Sequence, residues 1–192
     1  MDLIDRVFTQ AHTHYAWTPE DISEQQLRAL FELVRWPPTG GNAQPLRIVF
    51  VRSAEAKERL RAGLAPGNIE KAMTAPVTAI LAYDAAWYER LPRLLPSRPE
   101  NRDRIAAMPA AERDGLATLN ATLQAGYFIL AARALGLDCG PMGGFDRGKV
   151  DAAFFPDGEW RSLLLVNLGH GDPARGFPRQ PRLEFAEACR IE

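Results

Sequence analysis

Five stretches of the chain carry residue types from which a binding or reaction site could be built. Thr39, Gly40, Gly41, Asn42 and Gln44 lie between the pair Pro37-Pro38 and Pro45. They offer a hydroxyl, two positions free to take positive φ and two carboxamides, the equipment of a backbone that approaches a polar ligand closely. Asn68 and Lys71 stand three apart, which on a helical turn sends both side chains to one side. Cys139 to Phe145, CGPMGGF, is a second glycine-rich segment and contains Pro141, Met142, Gly143 and Gly144. Arg175, Arg179 and Arg182 sit among prolines near the end, where their planar forks could grip a phosphate, although a solvated tail reads equally well. His12 and His14, separated by Thr13, would share one face of an extended segment. A metal could bind such a pair, but no carboxylate or thiolate completes a ligand set at the right spacing, and a capped helix end explains the cluster more simply.

These residues need rigid elements to hold them. Leu3, Ile4, Val7, Phe8 and Ala11 recur at helical spacing ahead of the histidines. Ser23 and Gln26 form a capping box that opens a helix with Leu27, Leu30, Phe31 and Val34 as its buried stripe. Pro37 and Pro38 stop it, and Leu46 to Val51 leaves the first loop as a buried strand. Ser53 caps a helix reaching about Ala62, and Pro76 to Tyr83 and Ser162 to Leu168 read as two further strands. Between Asp84 and Ala110, Pro92, Pro96, Pro99 and Pro109 break any long element, so residues 84–110 form an excursion or lid. Glu112 to Leu137 is the longest helical pattern. Leu116, Leu119, Leu123, Tyr127, Leu130 and Ala134 make a stripe that Phe128, Ile129 and Ala131 widen until the helix is apolar nearly all round, which calls for cover from a second copy. Gly136 ends it, and after the second glycine-rich turn Asp146 caps a short helix to Phe155. Residues from about 170 to 192 form an arm.

The chain has 192 residues, a length that suits one domain spanning 1–192. With 23 basic against 24 acidic side chains the net charge is -1, so no whole-molecule field recruits nucleic acid or an anionic membrane. The cysteines, Cys139 and Cys189, allow one bridge at most, which fits a reducing compartment and so the cytoplasm. The first residues show neither signal peptide nor membrane anchor. No dinucleotide fingerprint, Walker loop, zinc-protease helix or nucleophile elbow is present. The two glycine-rich loops, the Asn68/Lys71 pair and the basic arm together could contact the rim of a flat polar ring, place a cation at its electron-rich edge and hold a phosphate. That combination points to flavin mononucleotide (FMN).

The motifs sharpen this. PTGGNAQP before a strand resembles the P-S-S-x-N-x-Q-P-W signature of the nitroreductase superfamily, and GPMGGFD resembles its later G-P-M-x-G-F-D motif. The long helix, that motif, a strand ending in Gly-His-Gly and a closing Pro-Arg-Leu follow the family's order. WPPTGGN, RIVFVRSAEAKERLR, APVTAI, YERLP, ALGLDCGPMGGFDR and PRLEFAEAC are similar to the malonic semialdehyde reductase branch. The resemblance covers nearly the whole chain and is weakest from Leu94 to Arg113.

The resemblance implies an α+β, three-layer fold with a central, mostly antiparallel sheet flanked by helices, in an intertwined homodimer with swapped terminal segments and an FMN in each of two interface pockets. Thr39, Gly40, Asn42 and Gln44 would border the flavin, and Asn68 and Lys71 would meet its pyrimidine edge. Pro141, Met142, Gly143 and Gly144 would lie behind the ring. His12, Thr13, His14, Arg179 and Arg182 would serve phosphate and ribityl chain. Three departures stand out: His12 where arginine is usual, Gly143 where glutamate is common, and Leu46 in place of a frequent tryptophan. The implied activity is hydride transfer from NADH or NADPH through flavin N5 to a small aldehyde, quinone or nitro compound by alternating half-reactions, with Lys71 polarising the flavin. A flavin store without turnover is the alternative, and a hydrolase built on His12, His14 and His170 lacks metal-ligand partners.

Overall fold

The computed structural model describes residues 2–176 and 178–192. Four strands, β1 (Leu46–Val51), β2 (Val77–Asp84), β3 (Asp138–Met142) and β4 (Trp160–Gly169), form one sheet in the order β1-β2-β4-β3, and every pairing is antiparallel. Side chains alternate across it as the period of a strand requires. Val77, Ala79, Leu81, Val166 and Leu168 pack on helices α1 (Glu24–Val34) and α6 (Ala110–Ala134), through Leu27, Leu30, Ala125, Phe128 and Ala132. Ile80, Ala82, Leu165 and Met142 face the other way, onto α2 (Ala54–Arg61), α3 (Pro66–Thr74) and α7 (Arg147–Phe154) through Leu60, Ala72 and Val150. The result is the expected three-layer α+β arrangement.

Local signals set the helix ends. Ser23 and Gln26 make the reciprocal capping box, the Ser53 hydroxyl accepts from Ala56 N, and the Asp146 carboxylate accepts from Lys149 N. Gly136 takes φ +83° just past α6, where a side chain would be strained. Four features differ from the sequence reading. Cys139 to Met142, expected as part of the turn Cys139 to Phe145, instead belongs to the edge strand β3, whose proline is tolerated because only one side of that strand is paired to the sheet. β1 lies at the opposite edge and is only half-buried. Phe31 is 49% exposed, so α1 buries only Leu27, Leu30 and Val34.

The largest difference is in α6. Leu116, Leu119, Leu123 and Tyr127 are 37%, 68%, 45% and 40% exposed, while Ala117, Asn120, Ala121, Gln124, Ala125, Phe128 and Ala132 are turned inward. Small side chains let the helix lie close on the sheet, and the leucine stripe is left facing out. Residues 84–110 fold into a 3-10 turn (Trp87–Arg90), α4 (Leu91–Leu94) and α5 (Asn101–Ala106), and Trp87, Leu91 and Ile105 bury against Ala117, Ala121 and Tyr83. The arm ends in α8 (Phe185–Ala188), with Leu183, Phe185 and Ile191 exposed.

Candidate functional site

The second glycine-rich loop is clamped to α3. Ala65 N donates to Gly144 O at 3.1 Å, Asp146 N donates to Gly63 O at 2.7 Å, and Leu64 bridges Phe145. That fixes the start of α3 against the loop, so Asn68 reaches back and its Nδ2 donates to Gly144 O at 2.9 Å. A Cβ on Gly144 would come within 2.8 Å of that amide, so only glycine lets the two approach. One turn on, Lys71 Nζ lies 3.3 Å from Asn68 Oδ1 and 4.6 Å from the centroid of the Tyr15 ring. Lys71 O accepts from Trp17 Nε1 at 3.1 Å, which pins the helix end to the N-terminal segment. Pro141 and Met142 belong to β3. The Met142 side chain is buried in the core, where its Sδ lies 3.6 Å from Asn167 Nδ2, so it could serve a ligand only through its backbone. Among the described residues nothing stands within 4 Å of a Cβ built on Gly143, and the loop is open to them there.

The N-terminal segment runs beside β3. His14 N donates to Cys139 O at 3.0 Å, and Thr13 forms a parallel bridge with Cys139. His12 and His14 do share a face, with ring centroids 4.3 Å apart. His14 Nε2 is 3.4 Å from Asp138 Oδ1, and burial pushes its pKa down more strongly than Asp138 raises it. Among the described residues no group of three or more His, Cys, Asp or Glu is placed to hold a metal ion. His170 Nε2 instead lies 3.3 Å from Glu20.

Between this segment and the arm runs a groove of about 490 Å³, lined by His12, Thr13, Tyr15, Arg133, Arg179 and Arg182 among others. Its described lining holds three arginines and a histidine but no carboxylate. Arg133 Nη2 donates to His12 O at 3.4 Å, Arg179 Nη2 donates to Phe8 O at 2.7 Å, and Arg182 Nη1 turns back onto Gln180 O at 2.8 Å. Carbonyl oxygens thus orient the guanidinium groups and leave their charge uncancelled, a setting that favours an anion. His14 faces a neighbouring cavity of about 340 Å³ with Arg6, Arg133 and Asp138. Tyr15 lines the groove and carries Lys71 over its ring, so this one side chain touches both the basic groove and the Asn68/Lys71 corner.

Thr39, Gly40, Asn42 and Gln44 form a separate set. Gly40 N donates to Asn120 Oδ1 at 2.6 Å, Gln44 N to Thr39 Oγ1 at 3.1 Å, and Asn42 Nδ2 to Leu94 O at 2.7 Å. Leu46 N donates to Gln124 Oε1 at 3.2 Å as the chain enters β1. Asn42 and Gln44 both take positive φ, 52° and 43°, a conformation that costs non-glycine residues about 1 kcal/mol or more and persists only where surroundings impose it. The loop's exit is fixed by Asp84 N donating to Pro45 O at 3.0 Å.

The two sets occupy opposite ends of the sheet. Leu46 pairs with Tyr83 at the far end of β2, whereas α3 leads into Val77 at its near end. The eight residues of β2 span roughly 25 Å, and β1 and β3 are the two opposite edges. Sequence reasoning missed Asn120 and Gln124, although two carboxamides four apart within an apolar helix were a usable signal. It also missed Arg133 and Tyr15, which nothing local distinguishes.

A profile of the Nitroreductase family matches residues 9–170. Proteins of Rhodopseudomonas palustris and Leptothrix cholodnii, both named "Putative NADH dehydrogenase/NAD(P)H nitroreductase", are each 49% identical to the chain over 188 residues, covering 98% of it and 95% of the relative. Among solved structures, a "putative nitroreductase" of Exiguobacterium sibiricum in complex with FMN superposes with a TM-score of 0.86 at 20% identity, over 100% of this chain and 98% of that one. An enone reductase of gut-bacterial fatty acid saturation superposes at 0.84 and 18% identity, over 99% and 97%.

Proposed function

Since the chain belongs to the nitroreductase family, we propose that it is an FMN-dependent oxidoreductase that takes reducing equivalents from NADH or NADPH and delivers them to a small acceptor. The observation that carries this reading is the groove of Arg133, Arg179, Arg182 and His12, acid-free in its described lining, whose wall residue Tyr15 carries Lys71 over its ring, with Lys71 beside Asn68 and Asn68 tied to Gly144 O. The arginines of the groove suit a phosphate, and the carboxamide of Asn68, the ammonium of Lys71 and the backbone of the glycine-rich loop suit the polar rim of a heterocycle, so the residues present suit the cofactor. When bound, FMN would supply two-electron hydride exchange, first with the nicotinamide and then with the acceptor.

The chain's own part is binding and electrostatics. Arg179 and Arg182 neutralise the phosphate. His12 stands where an arginine is usual and lacks the planar fork with which a guanidinium grips a phosphate bidentately. Asn68 is oriented by Gly144 O, and Lys71 by Asn68 Oδ1 and the Tyr15 face. That preorganised ammonium favours negative charge at the pyrimidine edge. Because the Thr39 to Gln44 loop sits at the other end of the sheet, its contacts with the same ligand come from a second copy. The outward stripe Leu116, Leu119, Leu123 and Tyr127, the half-buried edge of β1 and the exposed Leu183 and Phe185 of the arm support such a homodimer, built from single-domain protomers. The acceptor on this reading is a semialdehyde of the malonic type, by the branch motifs, with quinones and nitro compounds as alternatives.

The test is the visible spectrum of the purified protein and its anaerobic titration with each nicotinamide. Bleaching of a flavin absorbance, followed by recovery on adding an aldehyde or quinone, is the expected result. A protein that takes up no FMN on reconstitution, or whose flavin neither nicotinamide reduces, would sink the proposal; the second outcome would leave a flavin store.

A further inference from the structure

The 84–110 excursion and the first loop enclose a smaller recess of about 190 Å³, walled by Gly40, Gly41, Trp87, Leu91, Arg104 and Ile105 among others. That is about six water volumes and well below the roughly 300 Å³ at which drug-sized pockets begin. Its apolar walls are fixed, since Trp87, Leu91 and Ile105 are 3%, 1% and 6% exposed. Asn120, which also lines it, is committed to Gly40 N and to Leu116 O. Among the described lining residues Arg104 is the one that carries charge. Its neighbour Arg102 is engaged by Glu89 and Asp103, whereas Arg104 has no carboxylate partner among the described residues and keeps its Nε 3.3 Å from Asn101 Oδ1.

A planar guanidinium at the edge of a small apolar recess is matched by a carboxylate, which it can take bidentately. We propose that this recess receives a short oxo-acid of about three or four carbons, and that Arg104 binds its carboxylate and so sets acceptor specificity. The carbonyl end then points toward Gly40 and Gly41. The inference rests on the flavoenzyme reading in two respects, that the Thr39 to Gln44 loop borders the cofactor and that the acceptor carries a reducible carbonyl.

The test uses the FMN-loaded protein with malonate as a non-reducible three-carbon probe and neutral malonamide as its control. Malonate should raise the melting temperature and compete with the acceptor, and malonamide should bind at least about tenfold more weakly. Arg104→Gln should weaken malonate at least about tenfold without changing malonamide, and Arg104→Lys should restore part of the loss. In turnover, the ratio of kcat/KM for an oxo-acid over its methyl ester should fall by a similar factor in Arg104→Gln, chiefly through KM. Equal malonate affinity in wild type and Arg104→Gln, or equal affinity for malonate and malonamide, overturns the assignment. Failure of the flavin to be reduced would instead overturn the flavoenzyme reading, and the malonate titration would still decide the role of Arg104.

Discussion

Replacing Asp84 by alanine should destabilise the protein far more than one exposed ion pair could. The Asp84 side chain is 3% exposed, its Oδ2 lies 2.6 Å from Arg47 Nη2 and also meets Arg90 Nη1, and its Oδ1 accepts from Ala86 N at 2.8 Å. Arg47 is only 17% exposed, and its burial pushes the guanidinium pKa down against the opposing pull of Asp84. Removing the carboxylate strands that buried cation, at a cost of about 3–5 kcal/mol. Arg90, at 44% exposure, adds at most about 1 kcal/mol. In urea titrations at fixed protomer concentration, the loss should lower the midpoint by at least about 1 M. The double variant Asp84→Ala/Arg47→Met removes the stranded charge and keeps the aliphatic stem, so it should regain at least about half the loss. Arg47 Nη1 also holds Gln44 O at 3.1 Å and Leu46 O at 2.7 Å, so Asp84→Ala should loosen the first loop as well. A loss below about 1 kcal/mol, or a double variant no more stable than Asp84→Ala, would refute the reasoning.

Lys71→Ala should slow flavin reduction in stopped flow more than it weakens FMN binding, whereas Arg182→Ala should chiefly weaken binding; equal affinity losses would show the division of roles to be wrong. Leu123→Glu on the outward stripe of α6 should shift the protein to monomer in light scattering and lower its flavin content together, because a charge there opposes burial by a second copy. His14 has its pKa pushed down by burial, so the unfolded chain binds the proton more readily. Stability from this group is complete above the unfolded value of 6.5 and is lost as pH falls below it. Urea midpoints at pH 7.5 and 5.5 should therefore differ more in wild type than in His14→Gln, and an unchanged difference would remove His14 as the cause.

Where order is written over a few residues, the chain was readable. The capping pair Ser23/Gln26, the cap Asp146 and the stop at Gly136 need only their neighbours, and they stand where their residue types put them. The orientation of α6 was not readable, because both of its faces are apolar. Hydrophobicity alone does not say that Ala117, Ala121 and Ala125 meet the chain's own sheet while the leucines turn away. β3 was hidden by Gly140 and Pro141, which signal a turn until the partner β4 is known. Both glycine-rich loops of the candidate site were visible in their composition. The groove between the N-terminal segment and the arm was visible only in part: Arg133 enters it from α6, far from His12 and Arg182 in sequence, and only the tertiary fold brings the three together.

One arrangement within the protomer carries a genetic corollary. With the carboxamide loop at one end of the sheet and the Lys71 cradle at the other, the proposed pair of copies would make each pocket from halves contributed by different chains. A protomer defective only in its loop and another defective only in its cradle would then be dead as pure populations, yet their mixture would assemble pairs in which one pocket inherits two sound halves and the other inherits both lesions. Co-expression of two silent alleles would restore up to half the normal complement of working pockets in each mixed pair.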